Sequence, residues 1–106
     1  LLERAANPKG RRQLADESGI DEARILKWAN MADLMRVKGV AEEYSELLEA
    51  AGVDTVKELK RRNAANLADK MAEVNAKKKL VRLLPSEKRV DSWVAHAKTL
   101  DAVMTY

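Results

Sequence analysis

Gly39, in the stretch Val37-Lys38-Gly39-Val40, is where this chain could do chemistry without a reactive side chain. A tight turn there would open the next helix. Backbone N–H groups gathered at such a turn can hold a phosphate oxygen. Arg36 and Lys38 would add charge, and Ala41 would complete the turn. A second basic group, Lys77, Lys78, Lys79 and Arg82, could track a phosphate backbone, each neutralised phosphate adding about 0.9 to the salt slope on duplex DNA. The candidate contact residues are therefore Arg36, Val37, Lys38, Gly39, Val40, Ala41, Lys77, Lys78, Lys79 and Arg82. Each group also has a structural alternative. The turn can simply join two helices, and the lysines can be a solvated loop.

Other chemistry finds little support. There is no cysteine, so thiolate nucleophiles, thiolate metal sites and disulfides are excluded. No serine sits in a nucleophile elbow, and no His/Asp/Glu spacing matches a metal site. His96, the one histidine, lies on the flank of its helical stripe and suits packing better than proton transfer. Glu42, Glu43, Glu46 and Glu49 form a ladder that complements a helix N-terminus and is otherwise solvated. The expectation is a non-enzymatic protein with no cofactor and no metal. Trp28 and Trp93 could stack unpaired bases, but their central place on apolar stripes predicts core packing, as does that of Tyr44.

The 106 residues suffice for one modest domain. The net charge of +3 is too small to imply a nucleic-acid partner, yet it is unevenly spread. Residues 1–53 carry 8 Lys/Arg against 10 Asp/Glu, and residues 54–106 carry 12 against 7. Positive character thus follows the turn. No apolar run approaches the roughly 20 residues that span a bilayer, and no signal segment opens the chain, so no membrane partner is expected and a cytoplasmic setting fits.

The elements that would position these residues are helical. Ala, Leu, Glu, Lys and Arg dominate, Phe is absent, and β-branched residues never alternate. Asn7 with Pro8 predicts a capped helix reaching Ser18, stopped by Gly19. Asp21 caps the next helix, with Ile20 and Ile25 spaced as a hydrophobic staple. Ile25, Trp28, Ala29, Ala32 and Met35 share its inner stripe, and Lys27, Asn30 and Asp33 fall opposite. Beyond Gly39 the inward set is Val40, Tyr44, Leu47, Leu48 and Ala51, and Gly52 ends that helix. Thr55 and Glu58 predict a capping box for a short helix, and Asn63 caps another with Leu67, Met71 and Val74 inward. The segment 75–84 fits either a helix extension or a packed loop. Pro85 and Ser86 restart a helix predicted to run to near Met104, with Val90, Trp93, Val94, Ala97 and Leu100 inward.

The helices repeat. Ile25, Trp28 and Ala32 match Val90, Trp93 and Ala97 at identical spacing, and Leu2, Leu14 and Ala15 match Leu59, Met71 and Ala72. The second copy is preceded by the turn and helix from Val37 to Gly52, for which the first copy has no counterpart. Repeat arithmetic therefore predicts about 20 residues, carrying a first such turn, upstream of Leu1.

Through Asn7-Pro8-Lys9-Gly10-Arg11, Ile25-Leu26-Lys27-Trp28, Val37-Lys38-Gly39-Val40, Ala51-Gly52-Val53-Asp54-Thr55, Leu80-Val81-Arg82 and Trp93-Val94-Ala95-His96-Ala97-Lys98, the chain resembles a family of small bacterial proteins built of tandem helix-hairpin-helix units, a domain of unknown function. The resemblance implies an all-α fold, a single helical domain over 1–106. Residues 1–35 would be the remainder of a first unit truncated at its N-terminus, and 36–106 a second. The wider superfamily implies contact with DNA or RNA backbones without sequence preference, or, in some members, an unidentified protein partner or a purely structural role. Its nucleic-acid-binding turns run hydrophobic, any, Gly, hydrophobic, Gly. Val37, Lys38, Gly39 and Val40 fit, but Ala41 replaces the second glycine and restricts close approach. Glu42 and Glu43 would also repel a phosphate by roughly 2–4 kcal/mol at 4–8 Å and an effective dielectric near 20.

Overall fold

A computed structural model describes residues 2–106, and over these the chain is all-helical. Seven helices lie among the described residues: α1 (Leu2–Ala5), α2 (Pro8–Ser18), α3 (Glu22–Leu34), α4 (Glu42–Ala50), α5 (Val56–Leu59), α6 (Ala64–Lys78) and α7 (Glu87–Ala97). Their starts follow local side-chain chemistry. The Asn7 side chain accepts from the Gly10 N–H, Asp21 from Ala23, Asn63 from Asn66 and Ser86 from Arg89, satisfying N–H groups that a first turn leaves without partners. Gly19 stops α2 at φ 72°, its N–H reaching the Ala15 carbonyl at 2.9 Å. At the end of α4 the Val53 N–H bonds Leu48 O (2.8 Å) and the Gly52 N–H bonds Glu49 O (3.0 Å), the paired closure of a Schellman motif, with Gly52 at φ 94°.

The ambiguous segment after Asn75 resolves into both alternatives. Helix α6 continues to Lys78 and ends on Lys79 in the left-handed region, at φ 51°. The chain then turns into a loop pinned by Asn75, whose side chain both donates to Val81 O (3.1 Å) and accepts from the Val81 N–H (3.0 Å). This buries Val81.

Buried side chains form two clusters. The larger joins Leu34, Val37, Val40, Leu47, Leu48, Val56, Leu59, Leu67, Met71, Val90, Trp93 and their neighbours from α3 through α7. The smaller holds Ala5, Ile25, Ala29 and Met104, with Leu2, Leu14, Ala15, Ile20 and Leu26 against it. Met104 arrives because α7 ends at Ala97 rather than near residue 104. The Lys60 ammonium takes Leu100 O (2.8 Å) and the Arg36 guanidinium takes Asp101 O (2.9 Å), drawing off carbonyls that a longer helix would have used. The tail then returns to the first helices. The Thr105 N–H bonds Ala6 O (2.7 Å), and buried Arg11 donates to both Ala5 O (2.8 Å) and Thr105 O (2.7 Å).

Helix α3 departs from its expected stripe at three places. Ile25 and Ala29 are buried, but Trp28 is 41% exposed and Met35 is exposed too, while Asp33, expected on the polar side, is only 1% exposed. The cause is a partner distant in sequence. One Asp33 oxygen accepts from the Val56 N–H at 2.9 Å, capping α5 from another helix, and the other pairs with Arg36 at 2.7 Å. The expected Thr55/Glu58 box is correspondingly altered. Thr55 makes no capping bond, and Glu58 reaches back to the Asp54 N–H at 3.1 Å.

Candidate nucleic-acid interface

The turn between α3 and α4 is built by backbone bonds and one glycine. The Val37 N–H bonds Leu34 O and the Val40 N–H bonds Val37 O (3.1 Å), with Gly39 at φ 92°, the positive φ that a type II turn asks of its third residue. Val37 and Val40 are buried and anchor the turn, while Lys38, Gly39 and Ala41 are exposed. A Cβ on Gly39 would come within 3.1 Å of the Trp93 indole nitrogen, so the glycine serves two ends: backbone conformation and close seating on α7. Tyr44 completes the seat, its ring centroid 5.3 Å from that of Trp93.

His96 and Arg89, absent from the sequence-derived set, hold the turn from α7. His96 Nδ1 accepts the Lys38 N–H at 2.9 Å, which leaves the proton of the neutral ring on Nε2. Arg89 lies 4.9 Å from the Tyr44 ring centroid and 5.6 Å from that of Trp93, and donates to Gly39 O at 3.4 Å. Lys38, Gly39, Arg89, Ser92, Trp93 and His96 together line one shallow cavity. In the sequence Arg89 is simply one of the 12 Lys/Arg of residues 54–106. Its approach to Gly39 crosses 50 residues of chain, beyond any local pattern.

The sequence-derived residues do not form one site. Arg36 is committed to Asp33 and Asp101 O. Lys38 reaches the turn cavity, but Lys78 lines a different one beside Lys27, Glu46 and Glu49. Lys77, Lys79 and Arg82 are exposed. Helix α4 begins without a side-chain cap, and among the described residues the N–H groups of Ala41, Glu42 and Glu43 have no acceptor. All three residues are exposed and stand at the positive end of the helix, with two glutamates in the same first turn.

Two groups elsewhere are electrostatically perturbed. Burial raises the Asp54 carboxyl above its ordinary 3.8, with the neighbouring Glu58 adding to the effect. The Tyr106 hydroxyl, which donates to Asn30 Oδ1 at 2.9 Å, is likewise pushed up, first by its partial desolvation and then by Glu58, Asp54 and Asp33. Among the described residues no group of three His, Cys, Asp or Glu is placed to hold a metal ion. No helix there is long and apolar enough to cross a membrane.

The fold and its turn define a small all-helical domain. A family model described as "Domain of unknown function (DUF4332)" matches residues 1–100, and the chain belongs to that family. No solved structure matches the chain.

Proposed function

We propose that this chain is a non-enzymatic module of tandem helix-hairpin-helix units that contacts nucleic-acid backbones without reading their sequence, in the cytoplasm. The observation that carries the reading is the turn cavity. Lys38, Gly39, Arg89, Ser92 and His96 line it together, Arg89 donating to Gly39 O and His96 accepting the Lys38 N–H, and the uncapped first turn of α4 follows directly in the chain. Lys38 and Arg89 supply charge, Ser92 and His96 supply hydrogen bonds, and the free N–H groups supply the helix-end donors that suit a phosphate. The glutamates of that turn keep the contact weak.

The alternative, a protein-interaction module, draws on the exposed Trp28 and Met35, large apolar side chains without cover.

Fluorescence anisotropy with labelled duplex and single-stranded DNA at 50 and 200 mM salt tests the reading. For two or three neutralised phosphates, duplex affinity should fall about 10- to 40-fold between those salts. Lys38→Glu should weaken binding at low salt and flatten that dependence. Lys38 is the better choice for mutation because its side chain is exposed, whereas any Cβ on Gly39 would press on Trp93. No binding at 50 mM salt refutes the reading in favour of the interaction module. Binding indifferent to Lys38→Glu moves the contact to the Lys77–Arg82 surface.

A further inference from the structure

The end of α6 and the loop that leads to α7 gather charge of one sign. From Val74 to Ser86 the chain carries Lys77, Lys78, Lys79 and Arg82 and no Asp or Glu, so these 13 residues hold +4 while the other 93 sum to −1 (3 − 4). All four cations are exposed, and none forms an ion pair among the described residues. Lys78 shares a cavity with Glu46 and Glu49. The same loop carries apolar side chains that the core does not take. Leu83 is 74% exposed, the most of any large apolar side chain among the described residues, and Leu84 beside it is 40% exposed. Every other leucine among the described residues is buried or half-buried. The backbone that presents the two is braced. Asn75 brackets Val81 with bonds of 3.1 and 3.0 Å, Val81 itself is buried, and the Leu83 carbonyl accepts from the Tyr44 hydroxyl at 3.4 Å. Pro85 fixes its own φ immediately after them.

A bilayer with anionic headgroups answers both features at once. Its phosphates meet the cations, and the hydrocarbon beneath them takes leucine side chains, which have neither a flat face for a base nor a donor for a phosphate. We infer that the loop between α6 and α7 is a contact for an anionic membrane surface, with Leu83 and Leu84 immersed at headgroup level and Lys77, Lys78, Lys79 and Arg82 set against the phosphates. The contact is peripheral. No helix among the described residues is long and apolar enough to cross a membrane, and a loop tip needs none. The lack of a spanning run, the ground for expecting no membrane partner, bears on insertion and not on surface contact. The anionic leaflet faces the cytoplasm, the setting proposed above. Each basic side chain near such a surface raises the partition coefficient about fivefold. Leu83→Ala removes three carbons, which lowers it roughly 8-fold at half immersion and roughly 60-fold at full immersion.

The test mixes the 106-residue chain with vesicles of phosphatidylcholine containing about 30% phosphatidylserine, or with vesicles of phosphatidylcholine alone, and reads bound protein by co-sedimentation. Binding should be confined to the anionic vesicles, fall about fivefold in Arg82→Ala and fall by about eightfold or more in Leu83→Ala. Both side chains are exposed, so the melting temperature of each variant should stay within about 3 °C of the parent, which separates a lost contact from a lost fold. Absence of binding to the anionic vesicles overturns the inference. Binding that Leu83→Ala leaves within about twofold also overturns it, because charge alone would then hold the protein. Anisotropy with labelled duplex and single-stranded DNA forms the second arm. A loss of about eightfold there in Leu83→Ala overturns the inference as well, making the leucines a wedge between bases. The backbone contact proposed above is read on Lys38→Glu and the turn cavity, so failure on vesicles leaves it intact.

Discussion

Replacing Asp33 by alanine should cost the fold more than its place on a polar helix face would suggest. The carboxylate is 1% exposed, and both oxygens are in use: one accepts the buried Val56 N–H at 2.9 Å, and the other pairs with Arg36 at 2.7 Å. Alanine leaves the Val56 N–H without a partner, a penalty of about 1–3 kcal/mol. The ion pair adds about 1 kcal/mol rather than the larger figure for fully buried pairs, because the Arg36 side chain is 25% exposed and stays partly solvated once its partner is gone. The expected loss is therefore about 2–4 kcal/mol, from a total of about 5–15 kcal/mol for a domain. With a urea slope of about 1.5 kcal/mol per molar, the unfolding midpoint should fall by about 1.3–2.7 M. The milder Asp33→Asn keeps an acceptor for Val56 and should lose only about 1 kcal/mol. Amide exchange localises the effect: the Val56 N–H should lose protection in Asp33→Ala while the amides inside α6 keep theirs, after correction for global stability. A midpoint shift below about 0.3 M by this urea assay, with Val56 still protected, would refute the claim that α5 is capped in trans.

Gly39→Ala combines an unfavourable positive φ with a Cβ 3.1 Å from the Trp93 indole, and should destabilise by about 2–4 kcal/mol, lowering the melting temperature by roughly 10–20 °C; a loss under about 1 kcal/mol in thermal denaturation contradicts the seating described above. Asp54→Asn should stabilise the protein at pH 7. The folded carboxyl holds its proton to higher pH than the unfolded one, at 3.8, so wild-type stability declines as pH rises through that window and the asparagine escapes the loss. Melting curves should show the gain at pH 7 and none at pH 3, and a destabilised variant at pH 7 refutes the sign.

Features governed by neighbours a few residues away were legible in the chain itself. The caps at Asn7, Asp21, Asn63 and Ser86, the glycine stops and the inner face of α4 all depend on contacts within about one helical turn. Trp28 and Trp93 show the limit. Their local patterns are equivalent, so periodicity predicts the same burial for both, and only the presence of a turn above one of them separates their fates. Asp33 misled for a related reason. A carboxylate on the flank of a stripe is normally solvated, and its partner Val56 lies 23 residues away. The turn was found at its expected place, but Arg89 and His96 were not, because they meet it across 50 and 58 residues. The early end of α7 was hidden too. No glycine or proline marks Ala97; past it the Thr99 and Leu100 N–H groups turn to His96 O and Ala97 O, and Lys60 and Arg36 hold the carbonyls that follow.

Met104 in the smaller cluster sets an order of events during synthesis. Ala5, Ile25 and Ala29 leave the ribosome early, yet the cluster they form is completed by a residue made 75 positions after Ala29 (104 − 29). At about 5–20 residues per second that is a wait of roughly 4–15 s, during which α1–α3 are exposed without their final cover. The larger cluster draws its last deeply buried members from α7 and can close sooner. Helices α1–α3 are thus sealed by a residue made after α7, and a chain cut short before residue 104 would leave Ile25 and Ala29 without their cover while the larger cluster kept all of its buried members.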